Sequence, residues 1–237
     1  VRSSAASDVY KRQGLHISIG SVYAWSVLTR PIMADMGFTL SQTTWTFSLA
    51  ILILGLSAGF LGSFAEKIGP KKSGLLAMLF WVTGLLGTAY ALSIHNLTLL
   101  YLFYGIIGGI GLGIGYITPV STLVKYFPNR PGFATGLAIM GFGFASLIAG
   151  PLMQYLVAQV GLVDTFIILG VIYLVIMSAS SLYLKAPQPK HPTRTTKDKS
   201  TMYVHTHGML ANDAMKTWQF GAVSYTHLRA HETPEHL

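Results

Sequence analysis

Apolar residues fill six long runs along the chain, and polar residues collect in the short stretches between them. The runs cover residues 14–33, 41–64, 73–94, 97–124, 132–160 and 163–184. A helix needs about 20 mostly apolar residues to cross hydrocarbon, whereas a tilted barrel strand needs only about 10. Inside a bilayer no water satisfies the backbone, so runs of this length predict six membrane-spanning helices. The first run is the shortest, as expected of a span whose start is missing. After residue 184 the pattern changes to KAPQPKHPTRTTKDKS, which has three prolines and no apolar period and reads as a linker. Apolar character resumes in MLANDAMKTWQFGAV, so residues 209–222 read as the approach to a seventh span.

Composition narrows the class. Of 237 residues, 51% are hydrophobic and 10% charged, against about 25% charged in a soluble domain. That excludes an ordinary globular protein. Cysteine is absent, which removes disulfides, thiol nucleophiles and thiolate metal ligands. His205 and His207 share a polar linker and read as a solvated segment. No metal site and no cofactor are expected.

The basic residues set an orientation. Lys67, Lys71 and Lys72 follow the second run, Lys125 and Arg130 follow the fourth, and Lys185, Lys190, Arg194, Lys197, Lys199 and Lys216 follow the sixth, while the opposite side holds only Arg30. Positive residues stay on the cytoplasmic side, which places the even-numbered ends and the linker there. The same residues lack the basic-aromatic interleaving that stacks bases, so nucleic acid is not an expected partner.

Both ends of the chain resemble translated sequencing adapter. Residues 3–13 read SSAASDVYKRQ, and residues 223–233 read VSYTHLRAHET, its reverse-strand counterpart. Residues 1–13 and 223–237 are therefore set aside. This leaves 12 basic and 5 acidic residues, so the formal +8 becomes +7. The expected organisation is a six-span bundle at 14–184 and a cytoplasmic linker at 185–222 leading to a seventh span beyond the sequence.

Between the second and third runs stands Gly62-Ser-Phe-Ala-Glu66-Lys67-Ile-Gly69-Pro70-Lys71-Lys72. It resembles the loop signature of the major facilitator superfamily, G-x-x-x-D-[RK]-x-G-x-[RK]-[RK], with Glu66 in place of the usual aspartate. Gly62 permits close helix packing and Gly69 a tight reversal, while the acid pairs with cations or caps a helix in one transport state. Spans 4 and 5 add glycines at helical spacing: Gly105, Gly109 and Gly113 on one stripe, Gly111 and Gly115 on another, and Gly132 and Gly136 opening span 5. GFGFASLIAGP at 141–151 partly resembles the antiporter signature of span 5, with Leu137 and Ser146 where that pattern has glycine.

A narrower resemblance rests on GSVYAWSVLTRP (20–31), GIGLGIGYITPVSTLVKYFPNRPGFATGLAIMGFG (109–143) and MLANDAMKTWQF (209–220). Together they look like the oxalate/formate and monocarboxylate antiporter family, whose loop 4–5 runs K-W-F-P-D-R-R-G-x-A-x-G. Lys125, Arg130, Gly132 and Gly136 match that loop, and Asn129 and Pro131 replace an acid and an arginine. The resemblance implies an all-α membrane protein, the N-terminal six-helix half of a major facilitator bundle built as 3+3 inverted repeats. It implies small organic anions as substrate, a second half of the same chain as partner, and a multi-pass position in a bacterial inner (plasma) membrane.

The family lines its cavity from this half with aromatic residues of spans 1 and 4, which correspond to Tyr23, Trp25 and Tyr116. Gly20-x-x-Tyr23 and Gly113-x-x-Tyr116 recur in the first helix of each three-helix set, as an inverted repeat places them. Apart from His16 near the start and Arg30 at the outer end of span 1, no span carries a His, Lys, Arg, Asp or Glu away from its margins, and Asp164 sits at the outer start of span 6. Arg30 lies seven residues from Tyr23, on the same helix face, where it can draw anions toward the mouth. The competing readings are a sugar or drug carrier of the same superfamily, which predicts polar or acidic groups in spans 1, 4 and 5, and a six-span membrane enzyme or channel. The latter needs a catalytic cluster or a filter loop.

Overall fold

The computed structural model describes residues 14–126 and 131–183, which are helical apart from short turns. The end segments 1–13 and 223–237, the linker 185–222 with His205 and His207, and Arg130 lie outside the described residues. Helix α1 covers residues 14–36 and contains a 3-10 turn at Ser21–Ala24 before Trp25–Met36. The others are α2 (Leu40–Ile68), α3 (Pro70–Ser93), α4 (residues 97–126), α5 (Pro131–Val160) and α6 (Leu162–Tyr183). Inside α4 a π-helical stretch occupies Tyr101–Gly108. The five helices α2 to α6 each hold an uninterrupted segment long and apolar enough to cross a membrane.

The turns follow from local chemistry. Thr39 and Gln42 form a reciprocal capping box that starts α2, with the Gln42 amide donating to Thr39 Oγ1 at 3.3 Å and the Thr39 amide donating to Gln42 Oε1 at 2.9 Å. Asn96 starts α4 by accepting from the Leu99 amide at 3.0 Å. Between α2 and α3 there is one residue, Gly69, at φ +84°, followed by Pro70 at the first helical position. The expected loop of residues 65–72 is thus mostly helix, because the backbone stays helical past the point where the side chains turn polar.

Packing pairs each three-helix set with the other. On α4, a Cβ added at Gly109 would lie 2.7 Å from Ile53, and one at Gly113 2.6 Å from the Leu54 carbonyl oxygen, both on α2. The second stripe faces α3, where Gly111 would meet the Trp81 amide at 2.6 Å and Gly115 meets Ala77. At Gly111 and Gly113 a side chain would strike the neighbouring backbone, at Gly109 it would press on Ile53, and at Gly115 it would crowd the side chains of Ile19 and Ala77, so small residues hold these contacts close. In the same way α1 lies against α5 at Gly20, where a Cβ would collide with the Phe142 carbonyl, and against α6 at Gly14, beside Ser180. The first helix of each set therefore lies between the second and third helices of the other. Each short turn reverses direction, so α4 runs opposite to α1, as the 3+3 inverted repeat requires. Helices α3 and α6 also pack closely, and Trp81, Leu85, Phe166 and Leu169 from these two are buried in the common core.

Candidate functional site

The site forms where α1 loses its regular winding. The Ser18 hydroxyl donates to the Gly14 carbonyl at 2.8 Å and the Ser21 hydroxyl to the Ser18 carbonyl at 2.6 Å. Serine hydroxyls that bond back to their own helix compete with its ladder and bend it. The 3-10 turn that follows presents Tyr23, which is 46% exposed, while its neighbours Val22 and Ala24 are buried.

Tyr23 and Tyr116, from equivalent places in the two repeats, converge on one ring. Phe142 of α5 lies 5.2 Å from Tyr23 at an interplanar angle of 88°, and 5.5 Å from Tyr116 at 63°. Such edge-to-face contacts set a positive ring edge against a negative face. Tyr23 also meets Phe47 of α2 at 6.4 Å. At the other end of the cluster His16 lies 6.1 Å from Phe142 and 6.3 Å from Tyr116.

Beside Tyr23 opens a cavity of about 690 Å³ between α1 and α2, lined by Tyr23, Trp25, Arg30, Thr44 and Phe47 among others. Arg30 is exposed and is the charged group of the lining. Trp25 contributes to the wall but is mostly buried in the bundle, with its Nε1 donating to the Thr43 carbonyl at 3.2 Å. Neither Tyr116 nor Phe142 is among the residues that line this cavity; Tyr116 connects to its wall through Phe142 and then Tyr23.

The predicted switch residues surround the α2–α3 joint. Glu66 and Lys67 sit exposed in the last turn of α2, and Lys71 and Lys72 sit exposed in the first turn of α3. Gly62 faces α4, where a Cβ would come within 2.7 Å of Ile117. The joint is braced by the Ser73 hydroxyl donating to the Ala65 carbonyl. Of the loop 4–5 residues, Lys125 lies in the last turn of α4, and Gly132 and Gly136 are exposed on α5 with no atom within 4 Å of an added Cβ. These two glycines therefore do not share the packing role of the α4 stripes.

Sequence reasoning missed Phe142 and Phe47 and set His16 aside. For Phe142 no signal separated it from Phe144, two residues on and 57% exposed. For His16 a signal existed, an ionisable side chain inside an apolar run.

The sequence matches the family described as Major Facilitator Superfamily over residues 15–231. It is 32% identical over 181 residues to an Escherichia coli protein named uncharacterized MFS-type transporter YhjX, covering 76% of this chain and 44% of that one. It is 28% identical over 179 residues to human monocarboxylate transporter 14, covering 75% and 34%. With the oxalate:formate antiporter of Oxalobacter formigenes it shares 25% identity over 168 residues, covering 71% and 39%. The chain thus spans less than half the length of these relatives.

Proposed function

On the premise that this chain belongs to the major facilitator superfamily, whose members are transporters and not enzymes, we propose that it forms the N-terminal half of a carrier for small organic anions. The chain is an integral, multi-pass membrane protein. The proposed bundle has six spans, with α1 as the first, and sits in a bacterial inner membrane with residues 185–222 on the cytoplasmic side. The second half of the carrier follows residue 222, and residues 1–13 and 223–237 are adapter.

One observation carries the reading: Tyr23 and Tyr116, equivalent residues of the two repeats, both pack on Phe142 next to a cavity rimmed by Arg30. Arg30 attracts an anion to the outer mouth. The tyrosine hydroxyls and positive ring edges then offer hydrogen bonds and a favourable field without holding the anion too tightly to release. Relatives named for oxalate, formate and monocarboxylates point to the same solute class. Release comes from alternating access, in which the two halves rock about the site and the exposed charges flanking Gly69 make and break contacts between states. Exchange of one anion for another is the proposed mode.

The test is uptake of radiolabelled formate and oxalate into proteoliposomes holding the product of the whole gene. Saturable uptake, faster into vesicles preloaded with the other carboxylate, is the expected result. Uptake of a neutral sugar without competition from either carboxylate overturns the anion reading in favour of a neutral-solute carrier.

A further inference from the structure

His16 is 3% exposed and is an ionisable side chain held inside an apolar span. Its Nε2 lies 3.4 Å from the Tyr116 carbonyl oxygen, across the junction of the two repeats. A carbonyl only accepts, so Nε2 carries the hydrogen. At 3.4 Å the bond is at the long limit of useful geometry. An ionisable group inside hydrocarbon is costly and is held there by function more often than by fold. Its imidazole shares Phe142 with Tyr23 and Tyr116, and so belongs to the aromatic cluster where the two repeats converge.

Along α1, His16 lies seven residues before Tyr23, and Arg30 lies seven after it. In the orientation set by the loop charges, Arg30 is at the outer end and His16 on the cytoplasmic side of Tyr23. We infer that His16 is the inner polar station of the solute path, where Nε2 leaves the Tyr116 carbonyl and donates to a carboxylate oxygen of the passing anion. The bond given up is long and weak, and the one gained is charge-assisted, so the exchange favours the solute. The identity of the ligand rests on the organic-anion reading above; the position of His16 on the path does not.

Two measurements on the whole gene product separate these claims. This chain has no cysteine, and with any cysteine of the second half replaced, His16→Cys can be probed with a small charged methanethiosulfonate reagent against that background. Reaction that added formate slows is expected, while Ile19→Cys, equally buried but packed on Gly115, stays unreactive. In uptake, His16→Phe keeps the ring and loses the donor. It raises KM for formate roughly tenfold, the loss of one charge-assisted hydrogen bond, with Vmax and the amount of folded protein little changed. His16→Gln, which retains a donor, restores most of the loss. An unreactive His16→Cys from both sides of the membrane, or a wild-type KM in His16→Phe, overturns the inference. If the parent takes up neither formate nor oxalate while His16→Cys still reacts, the anion reading falls and the position of His16 on the path stands.

Discussion

The indole ring of Trp25 lies 4.3 Å, centroid to centroid, from the ring of Tyr104 and is tilted 41° to it. Trp81 and Phe166 close on Tyr104 at 5.7 and 6.3 Å, so α1, α3, α4 and α6 meet at one aromatic node. Trp25→Phe removes the bond to the Thr43 carbonyl and costs about 1 kcal/mol of stability. Trp25→Ala also leaves a hole and costs roughly 3–5 kcal/mol. Thermal unfolding in detergent measures both, and an alanine variant as stable as the parent would reject the node as a structural centre.

Gly84 and Gly108 bring α3 and α4 into backbone contact. A Cβ at Gly84 would lie 2.8 Å from the Gly108 Cα and 2.9 Å from the Phe103 carbonyl oxygen, so Gly84→Ala forces the helices apart and costs about 1–3 kcal/mol. Gly59→Ala on α2 meets open space and gains rather than loses, by up to about 1 kcal/mol. Equal melting temperatures for the two variants would contradict this.

Glu66→Gln should slow transport in the whole gene product at unchanged membrane insertion. Insertion follows apolar length and loop basicity, neither of which the change alters. Transport kinetics beside a membrane-fraction blot separate the two effects. A wild-type rate would leave the α2–α3 joint with only a role in topology.

Arg30→Gln should raise KM for formate about threefold at low salt, with the difference shrinking as salt is added. The Debye length falls from roughly 30 Å at 0.01 M to about 8 Å at 0.15 M, so steering by an exposed charge fades over that range. KM at two ionic strengths decides. A variant with the parent's value at both would make Arg30 an interfacial anchor.

A carboxylate at mid-membrane needs a compensating charge, because an unpaired buried ion costs several kcal/mol even after relaxation. The described helices place no lysine or arginine deep in a span. The proposed second half should then carry at least one within a span, facing Tyr23 and Tyr116. Reading the gene beyond residue 222 tests this, and a second half without such a residue would count against an anionic solute.

The bundle was legible because a bilayer dictates long apolar runs, and the α4 stripes because close helix contact demands small residues at fixed spacing. Spacing alone put Gly111 and Gly113 on different stripes, though not which neighbour each stripe meets, and they face α3 and α2 respectively. Helix ends were less legible. Hydropathy marks where side chains leave hydrocarbon, while α2 continues to Ile68 through Glu66 and Lys67. The break in α1 depends on which serine hydroxyl turns toward which carbonyl, and apolar periodicity carries no trace of that. Trp25 and Tyr23 both line the cavity, yet two residues and a 3-10 turn bury Trp25 almost wholly in the core and leave Tyr23 half-exposed.

The interlocking of the two three-helix sets constrains how the chain is made. Gly20 finds its mate only when Phe142 has been synthesised, 122 positions later by their numbering. At roughly 5–20 residues per second the ribosome needs on the order of 10 s to deliver it. During that interval the close-contact face of α1 must be covered by lipid or by the insertion machinery. Helices α1 to α3 alone are therefore not a folding unit, and synthesis halted before α5 would leave α1 without the surface against which it is shaped.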